Sequence, residues 1–381
     1  MNIFLIAGEA SGDRLGAALM AGLRRAAPEV QFYGVGGPAM QAEGLQSLFP
    51  MEDLSVMGLA EVLPKYRHLR RRLHETAEAA LKVRPDALIG IDSPDFCLRV
   101  ARLVRAQRPD QRVMHYVAPS VWAWRPARAQ KMAQVVDHVL ALLPFEPAYM
   151  EAAGMTCDFV GHPVVSEPRA TAQEAAAFRR DLGADGPLVM VLPGSRRGEV
   201  SRLAPRLGGA LRLIAGAHPD AQFIVPRVRG TADLVAELSR DWPRPLHLLD
   251  PQDAGEKRAA FAAADVAIAA SGTVSLELAA NAVPMVIAYD FNWLSRAILQ
   301  RMVRLDTVTL VNLVSETRAV PEFLGKNCRP EPIAAAALRL IAGGPERAAQ
   351  LKAMAVTMER LGAGGDPPGD RAARSVLGAL D

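Results

Sequence analysis

The chain has few of the features that mark secreted, membrane-spanning or zinc-binding proteins. It contains three cysteines in 381 residues, and the spacing of Cys97, Cys157 and Cys328 fits neither a zinc motif nor a disulfide framework. An odd number of thiols favours a reducing compartment. No apolar run reaches the roughly 18 residues that a membrane span needs. The start, Met1–Gly8, lacks a basic segment and meets Glu9 early, so it predicts a first strand and not a signal peptide.

Neither sign of charge dominates the composition. Lys and Arg number 44 against 41 Asp and Glu, a formal net charge of +3. Without a localised patch that balance does not indicate a nucleic-acid partner. Half of the residues are hydrophobic and 22% are charged, which is typical of a globular and not a disordered chain. The length exceeds that of one ordinary core and predicts two domains.

Short apolar runs alternate with amphipathic helical segments, which predicts right-handed βαβ units and parallel sheets. Glycine and proline in Val160–Pro168 indicate a linker. We therefore predict two doubly wound α/β domains that face a cleft, 1–165 and 166–345, with helices in 346–381 completing the first. The predicted strands are 3–7, 31–35, 87–91, 113–117, 136–142, 188–192, 222–225, 246–248, 266–269 and 285–288.

Two strand–turn–helix segments in the second half carry the strongest chemical signal. One turn is Gly194-Ser195-Arg196 and the other is Ser271-Gly272-Thr273. Such turns direct backbone N–H groups toward an anion above the strand end, and a guanidinium can bind phosphate through two hydrogen bonds. Each turn alone also fits a plain strand–helix connection or an N-cap. Together they indicate a nucleotide diphosphate bound without a metal, with Glu277 either accepting from the ribose hydroxyls or lying on the surface.

Acidic residues lie at two strand ends of the first half. The loop Gly8–Asp13 lacks the Gly-x-Gly-x-x-Gly pattern, and the carboxylates of Glu9 and Asp13 would repel a pyrophosphate, so it is expected to meet hydroxyls or an ammonium. Asp92 and Asp95 follow a second strand. They are compatible with a metal site, with a capped turn, or with a general base, which we favour.

Two further segments allow two interpretations each. Trp122, Trp124 and Arg125 form an aromatic loop that either stacks on a sugar or nucleobase or anchors the core. Residues 54–73 combine an apolar stretch with a basic one. They predict contact with an anionic membrane surface or an amphipathic helix with solvated arginines.

Several motifs follow one another along the chain. They are Gly8–Asp13, Gly90–Phe96, Pro119–Arg125, Leu143–Glu146, Gly161–Pro163, Leu192–Arg196 with Glu199 and Val200, and Ser271–Thr273. Together they resemble the lipid-A-disaccharide synthase family, from the first strand to about residue 325. The Pro-Ser-Val-Trp-Ala-Trp-Arg run is the most specific of them.

The resemblance implies an inverting glycosyltransferase of GT-B architecture with two Rossmann-like domains. It implies that UDP-2,3-diacylglucosamine and 2,3-diacylglucosamine 1-phosphate are joined through a β-1,6 linkage with release of UDP, in the lipid A synthesis of a Gram-negative cell. No cofactor or metal is expected. The expected place is the inner face of the cytoplasmic membrane, reached peripherally through residues 54–73, and a second copy of the chain is a further candidate partner.

These expectations assign roles to individual residues. Asp95 is the predicted general base, Glu9 or Asp13 orients the acceptor, Glu277 holds the ribose, and Asn312 matches a family position expected to line the cleft. The predicted diphosphate contacts are Gly194, Ser195, Arg196, Ser271, Gly272 and Thr273. Two alternatives remain, a UDP-sugar 2-epimerase on the same scaffold and a two-domain solute-binding protein.

Overall fold

The computed structural model describes residues 1–54, 59–121, 127–290 and 306–381, with the backbone alone for 59–65. The chain forms two compact units. The first contains residues 1–166 together with 364–381, and the second contains residues 167–363.

The first unit is built on a parallel seven-stranded sheet in the order β3-β2-β1-β4-β5-β6-β7. The strands are β1 Asn2–Ala7, β2 Gln31–Val35, β3 Gln46–Ser47, β4 Ala87–Ile91, β5 Val113–Tyr116, β6 His138–Ala141 and β7 Thr156–Phe159. The helices are α1 Ala10–Ala26, α2 Pro38–Ala42, α3 Leu59–Val83, α4 Pro94–Gln107, α5 Ala127–Ala133 and α6 Glu146–Glu151.

Apolar side chains cover both faces of this sheet, as parallel sheets require. Along β1, Ile3 and Leu5 enter one buried cluster, while Phe4 and Ile6 enter the cluster on the other face. The alternation explains why the central strands are continuous apolar runs in the sequence.

The second unit has a six-stranded parallel sheet in the order β10-β9-β8-β11-β12-β13. Its strands are β8 Leu188–Leu192, β9 Gln222–Pro226, β10 Leu246–Leu249, β11 Val266–Ala269, β12 Met285–Tyr289 and β13 Glu322–Leu324. Its helices are α7 Ala172–Leu182, α8 Arg197–Ala217, α9 Ala232–Leu238, α10 Ala254–Ala263, α11 Val274–Ala280, α12 Leu310–Ser315, α13 Pro330–Ala342 and α14 Pro345–Arg360.

The carboxyl-terminal segment is divided differently from the prediction. Residues 346–381 were expected to complete the first domain, which is wrong for α14. The side chain of Gln350 bonds both backbone groups of Met285, at 2.8 and 3.1 Å, and so fixes α14 to the second unit. The last helix, α15 (Pro368–Gly378), packs on α1 in the first unit, where Arg371 donates to the carbonyl of Phe159 at 2.9 Å.

The predicted strands match the observed ones closely, and the α/β class with two parallel sheets is confirmed. The prediction omitted β3, β7 and β13, which have two to four residues each. These strands lie at sheet edges and carry polar residues, so they lack the apolar run that marks a central strand. None of the helices in the described ranges has the length and apolarity needed to cross a bilayer.

The contact between α1 and α15 provides a stability test. A Cβ added at Gly22 would lie 2.6 Å from the carbonyl oxygen of Gly369, whereas one added at Gly378 would meet nothing within 4 Å. We expect Gly22→Ala to lower the free energy of unfolding by about 1–2 kcal/mol, because the two helices must separate. Gly378→Ala in α15 is the matched control and should have no destabilising effect. Equal urea midpoints for the two variants would contradict this packing.

Candidate active site

All the predicted site residues except Asn312 follow the strands at which the order of each sheet reverses. In the first sheet the reversal lies between β1 and β4, and in the second it lies between β8 and β11. Open α/β sheets bind ligands at the carboxyl ends of the strands at such points. Each unit therefore has one region in which ligand binding is expected.

In the second unit the two small-residue turns begin side by side. Leu192 of β8 pairs with Ala269 of β11, and the N–H of Ala270 donates to the carbonyl of Leu192 at 2.8 Å. Helix α8 begins at Arg197, directly after the first turn, and its first N–H groups have no partner in the helix ladder. The side chain of Arg196 is exposed beside them. The positive end of the α8 dipole and the guanidinium of Arg196 can therefore both attract an anion.

A buried carboxylate supports the first turn. This support was not predicted from the sequence. Glu199 is 8% exposed, and its Oε2 accepts the N–H of Ser195 at 3.1 Å. Burial raises the pKa of Glu199, although the bond from Ser195 and the charge of Arg196 oppose the rise. The backbone N–H of Ser195 is thus already bonded, so the expected contribution of this N–H to a ligand is wrong. A glutamate three residues after the N-cap position is a known helix-start signal that could have revealed this support.

The hydroxyl of Ser271 fixes the second turn to a neighbouring segment of the backbone. The Oγ of Ser271 donates to the carbonyl of Val308 at 3.4 Å. Gly272 and Thr273 are exposed, and the space beside Gly272 is open for 4 Å around an added Cβ. The turn therefore presents its backbone and the Thr273 side chain at the surface.

Asn312 does not line a binding surface, and this prediction is wrong. The residue is 1% exposed, and its amide donates to Thr307 at 3.2 Å and to the carbonyl of Val320 at 2.9 Å. Its oxygen accepts the N–H of Val320 at 3.0 Å. Asn312 thus fixes the segment that contains Val308, the partner of Ser271. It acts on the second turn through that segment.

Glu277 is one-third exposed and forms an ion pair that the sequence did not suggest. Its Oε2 lies 2.6 Å from the Nζ of Lys257 on α10. The pair fixes the carboxylate beside the second turn, and an ionised carboxylate can accept further hydrogen bonds. The position remains suitable for a diol, with Lys257 as a neighbour.

In the first unit the two candidate carboxylates after β4, Asp92 and Asp95, have different surroundings. Asp92 and Ser93 have positive φ of 52° and 41°, and Oδ1 of Asp92 accepts the N–H of Ser93 at 2.9 Å. Asp92 therefore holds a strained turn, and strain of this kind accumulates at functional sites. Asp95 is exposed in the first turn of α4. Within the described ranges no group of three or more metal-binding side chains occurs.

The two acidic residues of the first loop differ. Asp13 is 5% exposed, and its oxygens accept the N–H groups of Gly37, Ala39 and Met40 at 2.9–3.0 Å. It caps the start of α2, so its predicted contact with an acceptor is wrong. Glu9 is half-buried at the start of α1 and remains a candidate.

Parts of two predicted segments lie outside the described residues. These are Trp122, Trp124 and Arg125, and the apolar stretch of the 54–73 segment from residue 55 to residue 58. Side chains from 66 onward are described. Arg72 is only 17% exposed and pairs with Asp53 and Glu75 at 2.7 and 2.8 Å. Its predicted contact with a membrane is therefore wrong, whereas Arg67, Arg70 and Arg71 are exposed.

Comparison with known proteins identifies close relatives. A family model described as lipid-A-disaccharide synthetase matches residues 3–364. Lipid-A-disaccharide synthase of Ruegeria pomeroyi is 64% identical, with 100% of this chain and 96% of the relative covered. The enzyme of the same name from Rhodospirillum centenum is 50% identical, with 99% and 94% covered.

Solved structures show the same fold at low identity. The UDP-GlcNAc 2-epimerase of Neisseria meningitidis, bound to UDP-GlcNAc, aligns with a TM-score of 0.67 at 12% identity, covering 100% of this chain and 99% of the other. A protein of Anabaena in complex with UDP and glucose aligns with a TM-score of 0.61 at 15% identity, covering 100% and 98%. This likeness concerns the GT-B-like fold alone.

Gly194 tests the first turn directly. Its φ is +106°, and an added Cβ would lie 2.0 Å from Oε2 of Glu199. In Gly194→Ala the carboxylate and the turn must move, so we expect UDP to bind about tenfold more weakly in calorimetry. Gly183 also has a positive φ, of 60°, but an added Cβ there meets nothing within 4 Å. Gly183→Ala controls for backbone strain alone. Unchanged UDP affinity in Gly194→Ala would exclude this turn from the site.

Proposed function

Because the chain belongs to the lipid-A-disaccharide synthase family, we propose that it joins UDP-2,3-diacylglucosamine to 2,3-diacylglucosamine 1-phosphate through a β-1,6 linkage and releases UDP. The observation that carries this proposal is the family match over residues 3–364. The epimerases share the fold at 12–15% identity, which leaves that alternative without support of its own.

The donor is assigned to the second unit. We propose that Arg196 and the turn Ser271–Thr273 bind the diphosphate, with Gly194 allowing the backbone of the first turn, and that Glu277 meets the ribose. Negative charge grows on the diphosphate as it leaves, and donors already aimed at that charge lower the barrier. Binding without a metal ion is part of this proposal.

The acceptor is assigned to the first unit. A sugar hydroxyl attacks only as its proton is removed, which requires a base within hydrogen-bond reach. Asp95 is the exposed carboxylate at the reversal point of the first sheet, and we propose it as that base, with Glu9 orienting the acceptor. Attack opposite the departing UDP gives inversion at the anomeric carbon.

Docking on the inner face of the cytoplasmic membrane is the proposed location. Arg67, Arg70 and Arg71 recur along α3 at helical spacing and are exposed. Each basic residue near an anionic surface adds about 1 kcal/mol, which suits reversible attachment. Weaker sedimentation of Arg70→Glu with vesicles rich in phosphatidylglycerol would support this location.

Product analysis tests the proposed function. The protein is incubated with the two diacylated substrates, and mass spectrometry is expected to detect a tetra-acylated disaccharide 1-phosphate with one UDP released for each. UDP-N-acetylglucosamine alone serves as the comparison. Its epimerisation, without formation of a disaccharide, would contradict the proposal.

Arg196→Ala tests stabilisation of the leaving group. Because the guanidinium is needed most when the diphosphate departs, we expect kcat to fall on the order of 100-fold while the KM for the acceptor stays unchanged. The control is Arg212→Ala, an exposed arginine about 24 Å further along the same helix. A similar loss in kcat and in acceptor affinity would argue against this role.

Asp95→Asn tests the base. The amide keeps the shape of the side chain but cannot take a proton, so we expect kcat to fall by about 100-fold or more with UDP affinity retained. Asp110→Asn alters an exposed carboxylate just after the same helix and should leave kcat unchanged. Near wild-type turnover in Asp95→Asn would remove Asp95 from this role.

A further inference from the structure

A basic cavity lies between α4 and α5 in the first unit. Its volume is about 280 Å³, and its polar lining consists of Asp95, Arg99, Arg102, Arg128 and Lys131. The side chains of Leu98 and Met132 and the rings of two prolines supply its apolar lining. Four of these polar residues are cations: Arg99, Arg102, Arg128 and Lys131.

Helical periodicity on two helices brings the four cations together. Asp95, Arg99 and Arg102 follow one another at spacings of four and three residues, so they share one face of α4. Arg128 and Lys131 are three residues apart and share one face of α5. A solvated basic face would project outward from one helix. Here two basic faces border the same concave space.

Three of the cavity's cations, Arg99, Arg102 and Lys131, form no ion pair within the described parts of the chain. By contrast, Arg105 on α4 pairs with Asp137. Asp95 is the one carboxylate of the lining, so the cavity carries an excess of positive charge. Guanidinium and ammonium groups arranged around a cavity favour an anion with several oxygens, such as a phosphate.

We propose that this cavity binds the phosphate of the sugar acceptor, an inference that rests on the proposed function. Arg99 and Arg102 lie about 6 and 10 Å beyond Asp95 along the helix axis. A hexose 1-phosphate carries its phosphate on C1 and its 6-hydroxyl on the CH2 group of C5, so the two groups lie on either side of the ring oxygen, several ångströms apart. It can therefore place the hydroxyl at Asp95 while the phosphate meets the cations. The diphosphate of the donor already has the Arg196 turn in the other unit.

The same cations would make the acceptor phosphate a specificity determinant. Binding energy at the phosphate holds the 6-hydroxyl at the base, so an acceptor without the phosphate should react slowly even with Asp95 intact. An acidic lipid headgroup shares the phosphate chemistry, and sedimentation with anionic vesicles distinguishes it from the phosphate of the sugar.

Reversing the charge of single cavity residues tests the proposal. Arg102→Glu and Lys131→Glu are assayed at saturating donor with the phosphorylated acceptor and with the same diacylated sugar lacking the phosphate. We expect kcat/KM for the phosphorylated acceptor to fall about tenfold or more in each variant. The kcat/KM for the other acceptor and the KM for the donor should not change. Lys82→Glu and Arg112→Glu, exposed cations of the first unit outside the cavity, are the matched controls, and Arg102→Lys should restore part of the loss.

Three results would overturn the proposal. They are an equal loss on both acceptors, no loss on either, and a loss confined to sedimentation with phosphatidylglycerol vesicles, which would assign the cations to lipid headgroups. Failure of the proposed function is distinguishable, because the wild-type protein would then form no disaccharide. In that event, calorimetric titration of the phosphorylated acceptor in detergent, without donor, still tests whether the cavity binds the phosphate. Wild-type binding that is lost in Arg102→Glu supports the cavity, and equal or absent binding refutes it.

Discussion

The reversal of strand order between β8 and β11 is the constraint on which the rest of the site depends. Parallel pairing of Leu192 with Ala269 places two turns side by side at the same edge of the sheet. The first turn leads into α8 and carries the guanidinium of Arg196. The second turn is Ser271–Thr273. If this pairing shifted by one residue, Gly194 could no longer supply the positive φ where Glu199 closes the turn.

In the proposed function, the division of charge between the units assigns one substrate to each. Cations and helix dipole in the second unit match a departing diphosphate, while the first unit offers carboxylates at its strand ends and a basic cavity one to two helical turns away. A hydroxyl needs a base and a leaving group needs positive charge, so this division serves the transfer of a sugar. Supporting residues such as Asn312, Glu199 and Asp92 hold the turns by bonding backbone groups.

The sequence predicts the central strands well because burial on both faces leaves continuous apolar runs such as Leu188–Leu192. It also predicts the strand–turn–helix connections after β8 and β11, because small residues follow each apolar run, whereas the binding of a diphosphate by these turns stays a prediction. It fails at Asp13 and Asn312, whose partners lie 24–27 and 5–8 residues away and are brought together only by the fold. The sequence does not indicate the cavity, because its cations lie on α4 and α5, which are separated by nineteen residues.

Calorimetric titration of UDP, with and without magnesium, tests the central claim most directly. If peptide dipoles and the Arg196 guanidinium hold the diphosphate, UDP binds with the same affinity in the presence of a chelator as with added magnesium. Absence of UDP binding, or binding that requires the metal, would contradict the account.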